Sequence, residues 1–224
     1  MKRLIILPAL VVAALTVSVT AALGASGTSN WHVGYYTASN KTLSYSQASN
    51  AGLASLNFTN QANTALLVTS QKIKGSGLLG DMTGKSVAAT ATIGGVNGAV
   101  NYYGEPDACG GTTAYVRYYF ETSNASGFNE THYWWSNPVA APLANGAVSL
   151  APVSLSGANW SDYYGHFGTD ANSDGFLGAA AFNTAVKNVT TIGLSFGGGC
   201  FFENGVGTTD GSGTFTLNSY TATP

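Results

Sequence analysis

Short segments in which apolar and polar residues alternate recur along this chain from residue 30 to its end. Because successive side chains of a β-strand point to opposite faces, such alternation is typical of strands with one buried face. Clusters of glycine, asparagine and serine separate the segments, as turns separate antiparallel strands. The pattern predicts an all-β chain, with its clearest strands at 86–93, 114–121, 191–196 and 213–223.

Further strands are expected at 53–59, 65–71, 99–103, 132–136 and 148–153. They bring the expected number of strands to about nine. No internal repeat, proline-rich linker or charge run divides the chain into two domains. We therefore expect a single β-sandwich of the jelly-roll kind over residues 26–224.

One segment near residues 176–187 has the spacing of a helix instead. Phe182 and Val186 are four residues apart, and Ala179 lies one turn earlier. This spacing places the three apolar side chains on one stripe of a helix. We expect a short helix that packs across one end of a sheet.

The first 25 residues have the pattern of a secretory signal peptide. A basic start precedes an apolar run at 4–15, and Ala22-Leu23-Gly24 fits a small-x-small cleavage site. An uncleaved membrane anchor is the alternative, but hydroxyl residues dilute the run below the roughly 20 apolar residues that a spanning helix needs. The mature protein is expected to be secreted, with no membrane span after cleavage.

Charge is scarce, at 8% of residues, and its balance excludes some partners. Without the two basic residues of the leader, six basic and ten acidic residues remain. The chain has no basic patch or run, which argues against binding to nucleic acid or to an anionic membrane surface. The aromatic content of 12% is high enough to bury a core, unlike that of a disordered chain.

The chain has two cysteines, Cys109 and Cys200. In an exported protein such a pair predicts a disulfide, which would stabilise the fold by about 4–5 kcal/mol in the chain-entropy model. Free thiols or a metal site are the alternatives. Two isolated cysteines without Cys-x-x-Cys spacing make a poor zinc site.

Two glycine-rich segments resemble nucleotide-binding signatures. GSGLLG at 75–80 has the spacing of the dinucleotide fingerprint, but a turn and a strand follow it. That fingerprint works by opening a helix whose N-terminus holds the pyrophosphate. GDMTGKS at 80–86 lacks the first glycine of a P-loop, because Leu79 stands there. Both segments are interpreted as connections between strands.

The segment GLSFG at 193–197 matches the nucleophile elbow of α/β-hydrolases. An elbow presents its serine between a strand and a helix, and its histidine follows later in the chain. Here every histidine precedes Ser195, and Ser195 alternates with inward apolar residues of one predicted strand. We interpret it as a strand serine on the opposite face, and no motif predicts catalysis.

The segment DANSDG matches the first half of a calcium loop through Asp170, Asn172, Asp174 and Gly175. The second half fails, because Ala181 stands where a bidentate glutamate belongs. Two interpretations remain open. One is a Ca²⁺ site completed by carbonyls and water, and the other is an Asx-rich turn in which Asp174 caps the following helix.

The predicted order of elements in 182–223 is short helix, strand, glycine-rich loop and terminal strand. This segment resembles the closing part of galactose-binding-like jelly rolls, a group that includes many carbohydrate-binding modules and the laminin-B-type domains. LLGDMTGKSVAATATI at 78–93 is similar to an early step of the same group. The resemblance covers most of 50–223 and implies binding rather than catalysis. Such families usually carry an aspartate in the last strand, where this chain has Asn218.

Three aromatic residues stand in a row at Tyr133, Trp134 and Trp135. In a strand, Tyr133 and Trp135 share one face and Trp134 takes the other. Since consecutive rings cannot all point inward, we expect an exposed patch of aromatic and polar side chains. For any single ring, burial in the core is the alternative. The segment 158–166 is expected to be a loop that adds further aromatic, acidic and histidine side chains.

A sugar ring has an apolar C–H face and a polar edge, so its site needs a flat aromatic surface and a few hydrogen-bonding groups. We predict a secreted, non-catalytic protein that binds a polysaccharide or glycan. A structural or protein-interaction domain at the cell surface is the alternative, and a hydrolase of unrecognised type ranks third. The predicted ligand contacts combine the aromatic row with neighbouring rings and charges: Arg117, Tyr119, Tyr133, Trp134, Trp135, Trp160 and Asp162.

Overall fold

A computed structural model describes residues 29–37, 40–71, 79–95, 100–102, 114–122, 129–137, 141–171, 178–198, 205–209 and 211–224. These segments form two antiparallel β-sheets and one α-helix. The predicted all-β sandwich is confirmed, while a jelly-roll connection of its strands stays a prediction.

The strands are short, and most lie where the alternation predicts them. Their bounds are β1 His32–Thr37, β2 Asn40–Gln47, β3 Ala54–Thr59, β4 Ala62–Thr69, β5 Ser86–Gly94, β6 Val100–Tyr102, β7 Tyr115–Thr122, β8 Tyr133–Ser136, β9 Ala141–Pro142, β10 Gly146–Ser154, β11 Trp160–Asp162, β12 Val189–Gly197, β13 Val206–Thr208 and β14 Ser212–Thr223. The helix, α1, is Gly178–Ala185.

The larger sheet has ten strands among the described residues, and its main path runs β11-β8-β7-β12-β4-β1-β2. Strand β13 joins it through β4, β6 pairs with β13, and β9 pairs with β7. The smaller sheet has four strands in the order β10-β5-β14-β3. Strands β11 and β2 thus lie at opposite edges of the larger sheet.

The hydrophobic core lies between the two sheets. The Phe196 ring of the larger sheet meets Phe58 and Phe215 of the smaller one, with centroid distances of 5.8 and 5.2 Å and steeply inclined planes. All three rings are fully buried. Such edge-to-face contacts add to the free energy gained by burying apolar area.

The predicted helix is confirmed by α1. Phe182 is buried, and its ring centroid lies 5.1 Å from that of Trp134 and 6.1 Å from that of Phe120. Val186, just after α1, is buried as well. The apolar stripe therefore anchors the helix on the inward rings of β7 and β8.

Two predictions about strands need correction. Segment 158–166 contains a strand, β11, which pairs with β8 through Trp160 and Ser136. The sheets also hold more strands than the nine expected. Strands β9, β11 and β13 have two or three residues, too few to show alternation. Strands β1 and β2 are longer, but the prediction did not include them either.

Other predictions fall outside the described residues. The expected signal peptide at 1–25 lies there, as do Cys109 and Cys200, so cleavage and the disulfide stay predictions. Among the residues that the structure does describe, no helix is both long enough and apolar enough to cross a membrane.

Candidate functional site

The aromatic row of β8 alternates between the two faces of the larger sheet, as predicted. Trp134 points into the core, where its ring stacks 6.4 Å from Phe120. Trp135 belongs to a separate apolar cluster on the face turned away from the smaller sheet, and Tyr133 packs against that cluster. We call this second face the outer face.

Trp134 and Trp160 need correction as candidate ligand contacts, because both are 0% exposed. Their indole nitrogens donate to protein carbonyls, Trp134 Nε1 to Thr131 O at 2.8 Å and Trp160 Nε1 to Ser154 O at 2.9 Å. Neither ring can meet a ligand without opening the core. Their role is to fill the sandwich next to Phe120.

Two further candidates on the outer face are buried too. Tyr119 is 1% exposed and Trp135 is 2% exposed, with ring centroids 5.1 Å apart. Trp135 Nε1 donates to Ser195 Oγ at 3.0 Å, so the indole crosses β7 and reaches β12. Ser195 lies inside β12 and accepts this hydrogen bond, as expected for a strand serine rather than a nucleophile elbow.

The exposed aromatic surface lies directly beyond β11. The Tyr163 ring lies 6.1 Å from Trp135, 6.5 Å from Tyr133 and 5.4 Å from Tyr164. Tyr163 is 46% exposed and Tyr164 is 64% exposed. We call these four rings together with Tyr119 the outer aromatic patch. It runs from a buried base at Tyr119 and Trp135 to two exposed rings.

The buried carboxylate of Asp162 holds the turn that carries the exposed rings. Its Oδ1 accepts from Tyr164 N at 3.0 Å and from His166 N at 2.8 Å, and its Oδ2 lies 3.3 Å from His166 Nδ1. Burial raises the pKa of Asp162, and the hydrogen bonds from His166 and Tyr164 oppose that rise. Asp162 was predicted to contact a ligand, but its fully buried side chain organises the turn instead.

Two partly buried charged side chains lie beside the patch. Glu121 is the register partner of Tyr133, and its Oε2 accepts from the Tyr119 hydroxyl at 3.2 Å. Burial raises the pKa of Glu121, against hydrogen bonds from Thr191 and Tyr119. Arg117 Nη1 donates to Ser136 O at 3.2 Å, and burial lowers the pKa of its guanidinium.

The structure therefore brings Tyr119, Tyr133 and Trp135 together on one face, with Arg117 on the same strand as Tyr119. The predicted ligand contacts include neither Tyr163 nor Tyr164. A signal for both was present in the sequence. Asp162 followed three residues later by Gly165 is a turn pattern, and Gly165 has a φ of +86°.

The calcium hypothesis falls mostly outside the described residues, since Asn172 and Asp174 lie there. Asp170 is described, and its Oδ2 accepts from Phe167 N at 2.8 Å while its carbonyl accepts from Ala179 N at 3.2 Å. These contacts are those of a turn that leads into α1. Within the described part of the chain, no group of three His, Cys, Asp or Glu side chains is placed to hold a metal ion. A Ca²⁺ site stays a prediction.

The chain matches no family model, no curated protein and no solved structure. The candidate site therefore rests on its own geometry, which consists of two exposed tyrosine rings on a buried aromatic base with carboxylate and imidazole groups nearby.

Proposed function

We propose that this chain is a secreted, non-catalytic protein that recognises carbohydrate through the outer aromatic patch. The observation that carries the proposal is the pair of exposed rings, Tyr163 and Tyr164, seated on Tyr133 and Trp135. The leader-like residues 1–25 support secretion. The resemblance of 182–223 to galactose-binding-like jelly rolls supports a glycan as the ligand.

Stacking on tyrosine suits a sugar because the C–H face of the sugar ring is apolar and the phenol face is flat. Tyr163 and Tyr164 are inclined at 82° to each other. Their faces cannot form one plane, so they suit a bent or branched chain rather than a flat crystalline surface. Each phenol also carries a hydroxyl that can exchange hydrogen bonds with sugar hydroxyls.

Polar groups stand close enough to serve the edge of a sugar. The His166 ring lies 6.4 Å from Tyr164, and its side chain is 45% exposed. Glu121 is partly exposed next to Tyr133. A histidine nitrogen and a carboxylate provide donor and acceptor positions, which a neutral sugar uses for orientation.

The site is rigid before a ligand arrives. Asp162 fixes the backbone at residues 164 and 166, and the sheet fixes Tyr133 and Trp135. Preorganised rings lose little conformational entropy on binding, so more of the contact energy becomes affinity. We expect the affinity for a glycan to depend on the area of the exposed tyrosine rings rather than on closure of the loop that carries them.

The test is retention on a panel of soluble and insoluble polysaccharides by affinity electrophoresis and co-sedimentation. The wild type is compared with the double variant Tyr163→Ala plus Tyr164→Ala. Tyr45→Ala is the matched control, since Tyr45 is also 52% exposed but lies on β2 at the far edge of the sheet. We expect the double variant to bind at least about tenfold more weakly, which is about 1.4 kcal/mol.

Three results would contradict the proposal: no retention of the wild type on any glycan, equal retention of the double variant, or loss through Tyr45→Ala alone. Sedimentation of the same proteins measures their self-association, independently of glycan retention. Self-association that disappears in the double variant, without glycan retention, would assign the patch to a protein interface.

A further inference from the structure

A groove opens between the two sheets at the edge opposite the outer aromatic patch. It encloses about 230 Å³ and is bounded by β1 and β2 of the larger sheet and by β3 of the smaller sheet. Sandwich edges are open because no strand joins one sheet to the other there. This groove shares no residue with the outer aromatic patch, so its argument does not rest on the proposed function.

The groove combines an apolar floor with polar walls. Val33 and Leu56 are buried at its base, while Tyr35 is partly exposed and packs against the core. Serine, threonine and amide side chains complete the lining, namely Ser46, Gln47, Ser49, Ser55, Asn57, Thr59 and Thr64, together with Ala62. One aromatic wall with several hydroxyl and amide groups is the composition of a site for a polar, uncharged ring.

The lining contains no Asp, Glu, Lys, Arg or His among the described residues. A charged ligand in this groove would lose hydration without meeting an opposite charge, which is costly. A neutral ligand loses much less, because hydroxyl and amide groups can replace its water. The groove therefore selects against ionised sugars and charged side chains.

The edge of β3 adds a backbone donor and acceptor at this point. Ser55 exchanges both backbone hydrogen bonds with Ser49, each at 2.8 Å, on the side of β3 away from β14. Backbone groups two residues apart along a strand point to the same side. The N–H and C=O of Asn57 consequently face the groove.

This open edge is too short for a peptide strand. The Ser49–Ser55 bridge closes one end. At the other end β13 approaches so closely that a Cβ on Gly207 would lie 2.9 Å from Thr59 O. Between these limits only Asn57 is open, whereas strand addition uses a row of backbone hydrogen bonds. The groove favours a single compact ligand over an extended peptide.

One amide side chain of the lining is already oriented: Gln47 Nε2 donates to Ser29 O, which leaves its Oε1 as an acceptor. The Asn57 side chain lies on the exposed face of the smaller sheet, where its Oδ1 accepts from Thr214 Oγ1 at 3.0 Å, so Asn57 serves the groove through its backbone. A ligand that fits must offer both hydroxyl donors and acceptors, as a sugar does. The volume is below the roughly 300–1,000 Å³ of pockets for drug-sized molecules, and this suits one ring.

We propose that this inter-sheet groove is a binding site for one neutral monosaccharide unit, stacked on Tyr35 and hydrogen-bonded to Gln47 and to the backbone of Asn57. The unit is a free sugar or the end of a glycan. Comparison of a methyl glycoside with a tri- or tetrasaccharide of the same sugar distinguishes these two sources.

The experiment is a titration of the ¹⁵N-labelled protein followed by amide chemical shifts. The probes are methyl glycosides of neutral hexoses and pentoses, N-acetylglucosamine, and the charged analogues glucuronate and glucosamine. We expect saturable shifts at Gln47, Ser55 and Asn57 with at least one neutral sugar, and none with the charged analogues. The amide chemical shifts of residues 163–166 should not change with the same dependence on sugar concentration.

Variants separate this site from the outer aromatic patch. Ser46→Asp places a carboxylate in the groove, because Ser46 is the register partner of inward Val33, and it should weaken neutral-sugar binding at least tenfold, as should Gln47→Ala. Asn218→Asp is the matched control, because Asn218 is an exposed asparagine of the smaller sheet outside the groove lining. Tyr163→Ala plus Tyr164→Ala should leave binding at the groove unchanged.

The proposal is overturned if no neutral sugar shifts the groove amides, if a charged analogue binds as well as a neutral one, or if the groove variants bind like the wild type. If binding at the groove is lost only in the Tyr163→Ala plus Tyr164→Ala protein, the groove is not a separate site. If glycan retention by the outer aromatic patch fails while groove shifts persist, the groove proposal stands alone.

Discussion

Tyr118 and Tyr220 lie edge to face across the core, with ring centroids 6.0 Å apart and planes at 82°. Each hydroxyl reaches the backbone of the opposite sheet. Tyr118 of the larger sheet donates to Leu150 O at 2.9 Å and accepts from Ala89 N at 2.9 Å, and Tyr220 of the smaller sheet donates to Gly193 O at 3.1 Å. The two tyrosines thus tie the sheets together with polar bonds inside an apolar core.

The Tyr118 hydroxyl occupies an irregularity between β5 and β10, where the register shifts between Leu150 and Val153. Tyr118→Phe would leave the buried Ala89 N–H without its acceptor. An unsatisfied buried group costs about 1–3 kcal/mol, so we expect a loss of stability of that size. Urea unfolding measures it, with the exposed Tyr45→Phe as a control expected to stay within about 0.5 kcal/mol. Equal midpoints for wild type and Tyr118→Phe would contradict this role.

Close backbone contact supports the loop that carries the exposed tyrosines. A Cβ on Gly157 would lie 2.2 Å from Gly168 O, so the backbone of Gly157 touches the segment that follows Phe167. We expect Gly157→Ala to force these segments apart and to destabilise the fold by about 1–3 kcal/mol, as overpacking does. Thermal unfolding tests this prediction. Gly95→Ala is not a suitable control, because Gly95 has a φ of +68°, a conformation that strains alanine. Gly94→Ala, which has open space and no positive φ, is the suitable control.

Asp162 should act on sugar binding by positioning rather than by contact. Asp162→Ala removes the acceptor of Tyr164 N and His166 N and should loosen the turn, with weaker glycan retention. Asp162→Asn keeps one oxygen acceptor and should retain more binding than Asp162→Ala. Amide hydrogen exchange at residues 164–166 gives the readout besides affinity. Unchanged exchange in Asp162→Ala would contradict the positioning role.

The pH dependence of stability should reveal the partly buried carboxyl of Glu121. Its pKa is raised above 4.5 by burial, so the folded state holds the proton to higher pH than the unfolded state. Its contribution to stability is fully present below about pH 4.5 and is lost as pH rises through the raised value. The free energy of unfolding of the wild type, relative to Glu121→Gln, should therefore fall as pH increases.

The pKa of Asp81 is shifted in the opposite direction, so its pH dependence should have the opposite sign. Hydrogen bonds from Thr83 lower the pKa of this exposed carboxyl below 3.8. The contribution of Asp81 to the free energy of unfolding is present above about pH 3.8 and is lost as the pH falls through the lowered pKa of the folded state. Relative to Asp81→Asn, the wild type should gain stability as pH rises. Urea unfolding at steps between about pH 3 and 7 tests both signs, and a rise with pH for Glu121 would contradict its assignment.

The alternation of apolar and polar residues predicted the sandwich well, because a sheet with one face in the core and the other in solvent needs apolar residues on one face only. Strands β5 and β14 show it clearly, with buried and exposed residues in turn, whereas β12 is buried on both faces. Phe182 of α1 and Val186 just after it show the helical spacing. Strand β11 has only three residues, and a pattern of period two needs more than that to be recognised.

The site was predicted less well, for a physical reason. Alternation places Trp134 and Trp135 on opposite faces but does not say what covers each face. Trp134 is covered by α1, and Trp135 lies in a second apolar cluster on the outer face. Exposure at Tyr163 and Tyr164 depends on a tight turn held by Asp162, which a local turn pattern signals but strand periodicity does not.

The proposed function requires that Tyr163 and Tyr164 contact the sugar directly. Intermolecular nuclear Overhauser effects between glycan C–H protons and selectively labelled tyrosine rings, recorded with a glycan that the panel retains, report this contact. We expect these effects at Tyr163 and Tyr164, and we expect them to vanish in the corresponding alanine variants. Effects at other tyrosines alone, or at none while the glycan is bound, would contradict the proposed function.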